Sequence, residues 1–166
     1  MEIEPGTYVA ANSGYAVTHV IDKKKTGSEG LNFIILDGGM EINARPLLYG
    51  SRHPFYVIDK DGRLLSSEFT GINSPHHYEA VVVGKCCESG DSQCLDDNDV
   101  NIPRVMAEPE IGDIVVIGGV GAYCSSMAPI NYNSHTQVPE ILLTKDGKLK
   151  EIRRRQTLEQ LTANEL

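Results

Sequence analysis

The stretch EILLTKDGKLKEIRR, residues 140–154, places an Asp-Gly pair at 146–147 between two segments rich in aliphatic residues. An Asp-Gly pair in this position is the strongest short-range signal for a β-hairpin, because both residues tolerate the positive φ that the tight turn needs. A second Asp-Gly pair, at 61–62, follows FYVIDK at residues 55–60 and predicts another hairpin. The two turns therefore indicate antiparallel β structure.

Short segments rich in β-branched and aromatic residues recur along the chain and predict strands. These segments are residues 8–11, 15–22, 32–37, 55–58, 78–83, 113–117 and 141–144. Their spacing favours a mainly β fold, an antiparallel β-barrel or sandwich. Short helices are predicted near 44–49 and at the C-terminal end, where Thr157 and Gln160 can form a capping box. The polar stretches 66–77 and 91–110 lack periodicity and are predicted to be exposed loops.

Composition restricts the class of protein. The 166 residues suffice for one domain, residues 1–166, and 15 basic against 23 acidic residues give a net charge of -8. This charge opposes binding to nucleic acid or to an anionic membrane surface. No apolar run approaches the ~20 residues that span a bilayer, and the acidic start MEIEPG is not a signal peptide. Four cysteines are too few for a disulfide scaffold of this length, so we expect reduced thiols in a cytoplasmic protein.

A polar cluster, CCESGD at residues 86–91, follows the apolar strand predicted at 78–83. A thiol beside a carboxylate, as in Cys87-Glu88, can donate a proton from sulfur while the carboxylate holds a cationic group of a ligand. The alternative interpretation is structural: a buried cysteine and a turn capped by Asp91. Both interpretations place the cluster at the end of a rigid strand.

Two further clusters contain groups that bind ligands. RPLLY places Arg45 and Tyr49 four residues apart, which on a helical turn brings both to one face, suited to holding a carboxylate. The alternative is a surface arginine with Tyr49 packed inward. GGVGAY, residues 118–123, follows another apolar strand, and its small residues would let the backbone approach a ligand while Tyr123 supplies a ring and a hydroxyl. This stretch matches neither the P-loop nor the dinucleotide-binding glycine pattern.

No metal site is predicted. A count of acidic residues like that of an EF-hand begins at Asp97, but Ile102 stands where the calcium loop needs glycine. The paired His76 and His77 have no cysteine or carboxylate at zinc-ligand spacing. We interpret these residues as parts of exposed loops.

Six motifs, taken in order, resemble the diaminopimelate decarboxylase family. They are EPG at 4–6, DGGM at 37–40, RPLLYG at 45–50, CESGD at 87–91, GAY at 121–123 and NYN at 131–133. The resemblance covers essentially the whole chain. It implies the fold shared with alanine racemase and ornithine decarboxylase, in which an N-terminal (β/α)8 barrel carries pyridoxal phosphate on a lysine and a β-domain follows. The chain would then be the C-terminal β-domain, without the barrel.

The resemblance also implies a homodimer, with each active site lying between the barrel of one subunit and the β-domain of its partner. Glu4 would contact the pyridinium nitrogen of the cofactor, and Gly6 would lie near its phosphate. Thr7 occupies the position at which the family usually has an arginine that helps bind the phosphate or a substrate carboxylate. A hydroxyl there can donate a hydrogen bond but brings no charge.

The remaining site residues are assigned by the same resemblance. Arg45 and Tyr49 would hold a substrate carboxylate, and Glu88 would recognise the amino group at the far end of the substrate. Tyr123 would touch both cofactor and substrate. Cys87 would be the acid that reprotonates the α-carbon, acting across the dimer.

The implied function is conversion of meso-2,6-diaminopimelate to L-lysine and CO2 by the full-length enzyme, with this chain inactive alone. Thr7 leaves open a decarboxylase for lysine, ornithine or carboxynorspermidine. A third alternative is a non-catalytic β-domain that regulates, or dimerises with, a separate barrel protein. The isolated domain is expected to self-associate through the apolar surface that would otherwise meet the barrel.

Overall fold

The computed structural model describes all residues, 1–166, and they fall into two compact units, Met1–Ala128 and Pro129–Leu166. The first unit contains strands β1 (Tyr15–Lys25), β2 (Asn32–Leu36), β3 (Phe55–Ile58), β4 (Leu64–Ser67), β5 (Gly71–Ile72), β6 (His77–Val83), β7 (Arg104–Ala107) and β8 (Ile114–Gly118). Its helices are α1 (Gly6–Ala10), α2 (Arg45–Tyr49) and α3 (Cys124–Met127), with a 3₁₀ turn at Ala11–Ser13.

The eight strands of the first unit form one sheet in the order β5-β4-β3-β8-β1-β2-β6-β7. The sheet curls until its two ends approach, where Ala107 N of β7 donates to Ser66 Oγ beside it in β4 at 2.9 Å. The result is a nearly closed barrel, which confirms the prediction of a mainly β, barrel-like fold. Neighbouring strands are antiparallel except β2 and β6, which run parallel with Phe33 beside Val81.

Alternation along the strands builds the barrel interior. In β1, Ala16 and Val20 are buried whereas Val17 is exposed, because successive side chains of a strand point to opposite faces of the sheet. β6 departs from this pattern, since residues 80–82 are all buried. Consecutive buried residues are typical of a strand covered on both faces. The segment that follows β6 therefore begins from a rigid support.

One of the predicted strands is wrong. Residues 8–11 lie in α1 and the 3₁₀ turn that follows it. Pro5 immediately precedes α1, and the fixed φ of proline suits the start of a helix. Tyr8 and Val9 are exposed, so their β-forming character is not used to cover a core.

Both predicted exposed loops contain regular structure. Residues 66–77 include β5 and the end of β4, residues 91–110 include β7, and residues 91–95 are buried. β7 begins with Arg104, whose buried guanidinium pairs with Glu68 and lies 4.9 Å from the centre of the Phe55 ring. A charge can be buried when a partner neutralises it, and here the partner is distant in sequence. The local pattern therefore could not reveal this strand.

The second unit contains β9 (Glu140–Leu143), β10 (Leu149–Arg153), α4 (Leu158–Leu161) and a 3₁₀ turn at Tyr132–Ser134. β9 and β10 form the predicted antiparallel hairpin, and Gly147 in its turn has φ 79°. The predicted capping box is also present, because Thr157 and Gln160 bond reciprocally at the start of α4. The helix predicted near 44–49 is α2.

Two further predictions concern the whole chain. None of the four cysteines forms a disulfide, which agrees with the expectation of reduced thiols. None of the helices combines the length and the apolar character that a membrane crossing requires.

Candidate functional site

The parallel pairing of β2 and β6 brings together the segments that follow these strands, because the carboxyl ends of parallel strands lie at the same edge of a sheet. Residues 37–44 leave β2 and lead into α2. Residues 84–91, here named the thiol turn, leave β6 and carry Cys87 and Glu88. The predicted polar cluster is thus held at the end of a buried strand.

The two cysteines of the thiol turn have different environments. Cys86 Sγ donates to Glu41 Oε2 at 3.6 Å. Burial, followed by the negative charges of Glu41 and Asp91, raises the pKa of Cys86 to about 12, so Cys86 remains a protonated thiol at neutral pH. Cys87 is exposed. Cys86, which is partly buried, therefore fits the alternative of a structural cysteine. Cys87 is accessible to a ligand.

Glu88 presents an exposed carboxylate beside Cys87. Its Oε1 accepts hydrogen bonds from Gly90 N and Ser89 Oγ, each at 3.1 Å. Glu88 also lines a cleft of about 280 Å³, together with residues that include Lys24. A carboxylate that its own turn holds in a cleft is suited to binding a cationic group.

Arg45, Tyr49 and Tyr123 lie together and are here named the arginine cluster. The Arg45 guanidinium carbon is 5.0 Å from the centre of the Tyr49 ring and 5.6 Å from that of Tyr123. Both distances are typical of cation–π contacts. Tyr49 is 58% exposed and Tyr123 is 50% exposed, so the alternative of an inward-packed Tyr49 is wrong. The prediction that Arg45 and Tyr49 share one face is confirmed.

α2 connects the arginine cluster with the thiol turn. The helix has Pro46 in its first turn and ends at Gly50, whose left-handed φ of 57° favours glycine. The thiol turn packs against this helix: Gly90 lies so close to the Leu47 side chain that an added methyl group would overlap it. Arg45 lies on the same helix, so both predicted clusters are positioned by α2.

Tyr123 ends the glycine loop, residues 118–123, which follows β8. Tyr123 has φ 67°, and such a conformation costs a bulky residue about 1–3 kcal/mol that the surroundings must offset. Gly121 N donates to Ala11 O at 2.9 Å, and a methyl group at Gly121 would overlap the carbonyl of Ala10. The close backbone approach at Gly121 is therefore to the end of α1 and the turn after it.

The start of the chain contributes Glu4, Gly6 and Thr7. Gly6 packs against the Tyr123 hydroxyl, which a methyl group at this position would overlap. Gly6 N donates to Glu4 O at 3.0 Å. The Glu4 and Thr7 side chains are exposed. The structure thus brings Gly6 to the arginine cluster. Glu4 and Thr7, which are near Gly6 in sequence, are exposed.

Sequence reasoning missed His53, which holds the start of the glycine loop. His53 is buried, and its Nδ1 lies 3.0 Å from Gly118 O. Burial lowers the pKa of His53, and the charges of Arg45 and Arg104 lower it further, although the bond to Gly118 opposes them. Because a carbonyl oxygen can only accept, His53 Nδ1 donates to Gly118 O. The only signal in the sequence is a histidine between α2 and β3.

A buried set of side chains, here named the polar support, lies beneath the exposed groups and consists of Glu41, Asn43, Asp91 and Gln93. Asn43 Nδ2 donates to Gln93 Oε1 at 3.0 Å, and Gln93 Nε2 donates to Asn43 O at 3.1 Å. Only Asp91 was singled out from the sequence. The only sequence signal for Glu41, Asn43 and Gln93 is that they lie within a few residues of the motifs at 37–40 and 87–91.

The assembled groups are suited to an amino acid. A guanidinium between two phenol rings binds a carboxylate, an exposed carboxylate binds an amine, and an exposed thiol can transfer a proton. The thiol turn contains one lysine, Lys85, whose Nζ lies 3.8 Å from Glu41 Oε1.

Comparison with known proteins identifies the family. Residues 7–121 match the model described as pyridoxal-dependent decarboxylase, C-terminal sheet domain. Diaminopimelate decarboxylases of Buchnera aphidicola (subspecies Baizongia pistaciae) and Escherichia coli K12 are 40% and 39% identical over the whole chain. The chain spans 37% of the length of each relative.

Solved structures agree with the sequence comparison. A crystal structure of diaminopimelate decarboxylase matches with a TM-score of 0.85 and 37% identity, covering 97% of this chain and 36% of that one. The Helicobacter pylori diaminopimelate decarboxylase complexed with L-lysine matches with a TM-score of 0.73 and 35% identity, covering 96% and 34%. This chain therefore belongs to the pyridoxal-dependent decarboxylase family and corresponds to its C-terminal sheet domain.

Proposed function

We propose that this chain supplies the substrate-handling part of a decarboxylase that uses pyridoxal phosphate to convert meso-2,6-diaminopimelate to L-lysine and CO2. Two observations carry the proposal: the arginine cluster at the start and end of α2, and an exposed Cys87 on the thiol turn, which packs against the same helix. In this proposal residues 1–166 act as a C-terminal β-domain, and a (β/α)8 barrel outside this chain holds the cofactor on a lysine. The relatives named diaminopimelate decarboxylase support this substrate.

Pyridoxal phosphate suits the residues around α1 and the glycine loop. The half-exposed Tyr123 ring offers a flat face to a planar cofactor, and Gly6 leaves room beside the Tyr123 hydroxyl. Glu4 would contact the pyridinium nitrogen and keep it protonated, while Gly6 and Thr7 would border the phosphate. When bound, the cofactor accepts the electrons released on loss of CO2.

Arg45 and Tyr49 would hold a carboxylate of the substrate. A guanidinium can form two parallel hydrogen bonds with a carboxylate, and the neighbouring rings restrict where it points. Glu88 would bind an amino group at the far end of the substrate. Diaminopimelate carries both a carboxylate and an amino group at that end, whereas lysine and ornithine carry only the amino group. The pairing of Arg45 with Glu88 therefore favours diaminopimelate.

Cys87 would deliver the proton that replaces CO2 at the α-carbon. Its exposure allows the thiol to reach a ligand. Cys86 is unsuited to this role, because its Sγ donates to Glu41 and its pKa is raised to about 12. The two adjacent thiols thus have separate roles, one supporting the turn and the other handling the proton.

We further propose a cytoplasmic homodimer in which Cys87 acts in the active site of the partner. Four cysteines without a disulfide suit a reducing compartment. Exposed apolar side chains such as Tyr8, Val9 and Val17 suit contact with a barrel or with a second copy. The net charge of -8 gives nucleic acid no attraction to this surface.

The test measures CO2 release by the holoenzyme, which is this chain combined with its cofactor-bearing barrel, and uses the chain alone as the control. The substrates are meso-diaminopimelate, lysine, ornithine and carboxynorspermidine. We expect turnover of diaminopimelate in preference to the others, and none by the chain alone. A preference for lysine, ornithine or carboxynorspermidine would replace the proposed substrate by the alternative that Thr7 leaves open. Tight binding to the barrel without turnover of any of them would support a regulatory or dimerisation domain.

A further inference from the structure

We propose that Asp91 is a positioning residue for Cys87 and Glu88, a role that rests on the proposed function. The Asp91 side chain is buried, with 3% of the residue exposed. Its Oδ2 accepts from Cys86 N at 2.7 Å, and its Oδ1 accepts from Met40 N at 2.6 Å. One carboxylate thereby fastens the start of the thiol turn to the segment that follows β2.

The backbone of Asp91 closes the same turn. Asp91 O accepts from Gly84 N at 3.0 Å, and Asp91 N donates to Glu88 O at 3.1 Å. Glu88 N in turn donates to Cys86 O at 2.8 Å. Cys87 is therefore held between two residues whose main chains are both bonded, and each of them bonds directly to Asp91.

Two glycines leave the space that the carboxylate occupies. A methyl group at Gly39 would overlap Asp91 Oδ1, and one at Gly84 would overlap both Asp91 carboxylate oxygens. Burying a carboxylate is costly unless donors satisfy it, and bonds from N–H groups to an ionised oxygen are stronger than neutral ones. The two segments thus approach closely around a charge that a smaller apolar side chain could not replace.

A second connection lies two residues further along the chain. Gln93 bonds reciprocally with Asn43, and their exposed fractions are 1% and 0%. Asn43 stands two residues before Arg45, at the entrance to α2. The segment after β2 is therefore fastened at both Met40 and Asn43, which makes it a fixed base for Asp91.

This arrangement matters because Cys87 and Glu88 are themselves exposed. An exposed turn without internal support would let the thiol and the carboxylate move independently. A displacement of about 1 Å at a reacting group can cost a factor of about 10² in rate. Asp91 fixes the main chain on both sides of Cys87 and so fixes where its proton is delivered.

The test is Asp91→Asn in the holoenzyme. The amide offers one acceptor oxygen and one NH2 donor, so one of the two backbone N–H groups loses its acceptor. We expect kcat on diaminopimelate to fall by about tenfold or more as Cys87 shifts and KM to rise as Glu88 shifts, with the cofactor absorbance unchanged. In D2O the unaltered holoenzyme should place deuterium at the α-carbon in one configuration, and Asp91→Asn should give a mixture.

Asp113→Asn is the matched control. Asp113 is also buried, and its carboxylate accepts from Lys60 N at 3.1 Å and from Glu110 N at 2.8 Å. It precedes β8, whereas the glycine loop leaves the other end of that strand. We expect a similar loss of stability with kcat and the deuterium configuration unchanged. If Asp91→Asn behaves in the same way, Asp91 is only structural and the proposal is overturned.

Thiol labelling of the full chain separates this proposal from the proposed function. Iodoacetamide should modify Cys87 before Cys86, and Asp91→Asn should remove the protection of Cys86. An inactive holoenzyme would overturn the proposed function, and thiol labelling would then decide the role of Asp91. If Cys86 stays protected from iodoacetamide in Asp91→Asn, the positioning role is overturned. If Asp91→Asn does not fold, Gly84→Ala, which crowds the same carboxylate, takes its place with the same expected results.

Discussion

The exposed functional groups and the polar support beneath them are built in opposite ways. Tyr49 and Tyr123 are 58% and 50% exposed, whereas Asn43, Asp91 and Gln93 are 0%, 3% and 1% exposed. Hydrogen bonds are stronger where water is excluded, so the buried set can fix positions that a surface turn cannot. The groups above it keep bonding capacity for a ligand. The buried side chains therefore fix the positions of this site, whereas the exposed ones are available to a ligand.

The largest expected effect compares the two adjacent cysteines, of which Cys86 bonds to Glu41 of the polar support and Cys87 is exposed. Cys87→Ala in the holoenzyme should lower kcat by about 10²-fold or more, because a general acid contributes rate enhancements in that range. The cofactor absorbance should persist. Cys86→Ala is the matched control and should keep most activity, since its backbone N–H to Asp91 remains. Steady-state assays measure both variants, and an equal loss of kcat in the two would show that the thiols do not have separate roles.

The next effect concerns the arginine cluster. Arg45→Ala should raise KM for diaminopimelate or lower kcat/KM by about 10- to 100-fold, because hydrogen bonds to charged groups contribute roughly 1.5–3 kcal/mol. Arg63→Ala, which removes an exposed arginine paired with Asp59 in the β3–β4 hairpin, is the control. Substrate saturation curves provide the measurement. Unchanged kcat/KM in Arg45→Ala would exclude Arg45 from carboxylate binding.

A smaller effect is expected on stability from within the polar support. Asn43→Ala leaves Gln93 without its side-chain partner and should lower the free energy of unfolding by about 1–3 kcal/mol. Asn98→Ala in an exposed loop is the control and should change it by less than about 0.5 kcal/mol. Urea unfolding followed by circular dichroism measures both. Equal values would mean that the buried amide pair adds nothing beyond a surface contact.

The smallest effect is a pH dependence at His53. Burial holds the pKa of His53 below its usual 6.5 in the folded state, so the unfolded chain takes up the proton first as pH falls through 6.5. The free energy of unfolding therefore declines below pH 6.5 and keeps its full His53 contribution above it. His53→Gln should flatten this slope, whereas His19→Gln, at an exposed position, should keep it. Urea titrations on both sides of pH 6.5 test this, and equal slopes in the unaltered chain and His53→Gln would contradict it.

Local patterns predicted those parts of the fold that local forces build. Segments rich in β-branched and aromatic residues revealed β1 and β3, and Asp-Gly pairs revealed both hairpins. β7 was not predicted, because the partners of its buried Arg104 are distant in sequence: Glu68, 36 residues away, and the carbonyl of His53. α1 was mistaken for a strand because Tyr8 and Val9 have β-forming side chains but face solvent.

The site divides in the same manner. Arg45, Cys87 and Tyr123 belong to motifs that can be read along the chain, and the structure brings Arg45 to Tyr123. The groups that hold them are linked over long distances, with 50 residues separating Asn43 from Gln93. No periodicity or spacing expresses such a pair, so the polar support became visible only in three dimensions.

The single parallel pair in the sheet has a consequence for how the protein folds. Because β2 and β6 run in the same direction, the chain must travel from Leu36 to His77 through α2, β3, β4 and β5 before they can pair. Contacts between residues so far apart in sequence form slowly, because closing the loop costs conformational entropy before the strand pairing stabilises it. The bond between Met40 and Asp91 depends on that closure. During refolding of the holoenzyme, recovery of activity should therefore lag behind recovery of β structure.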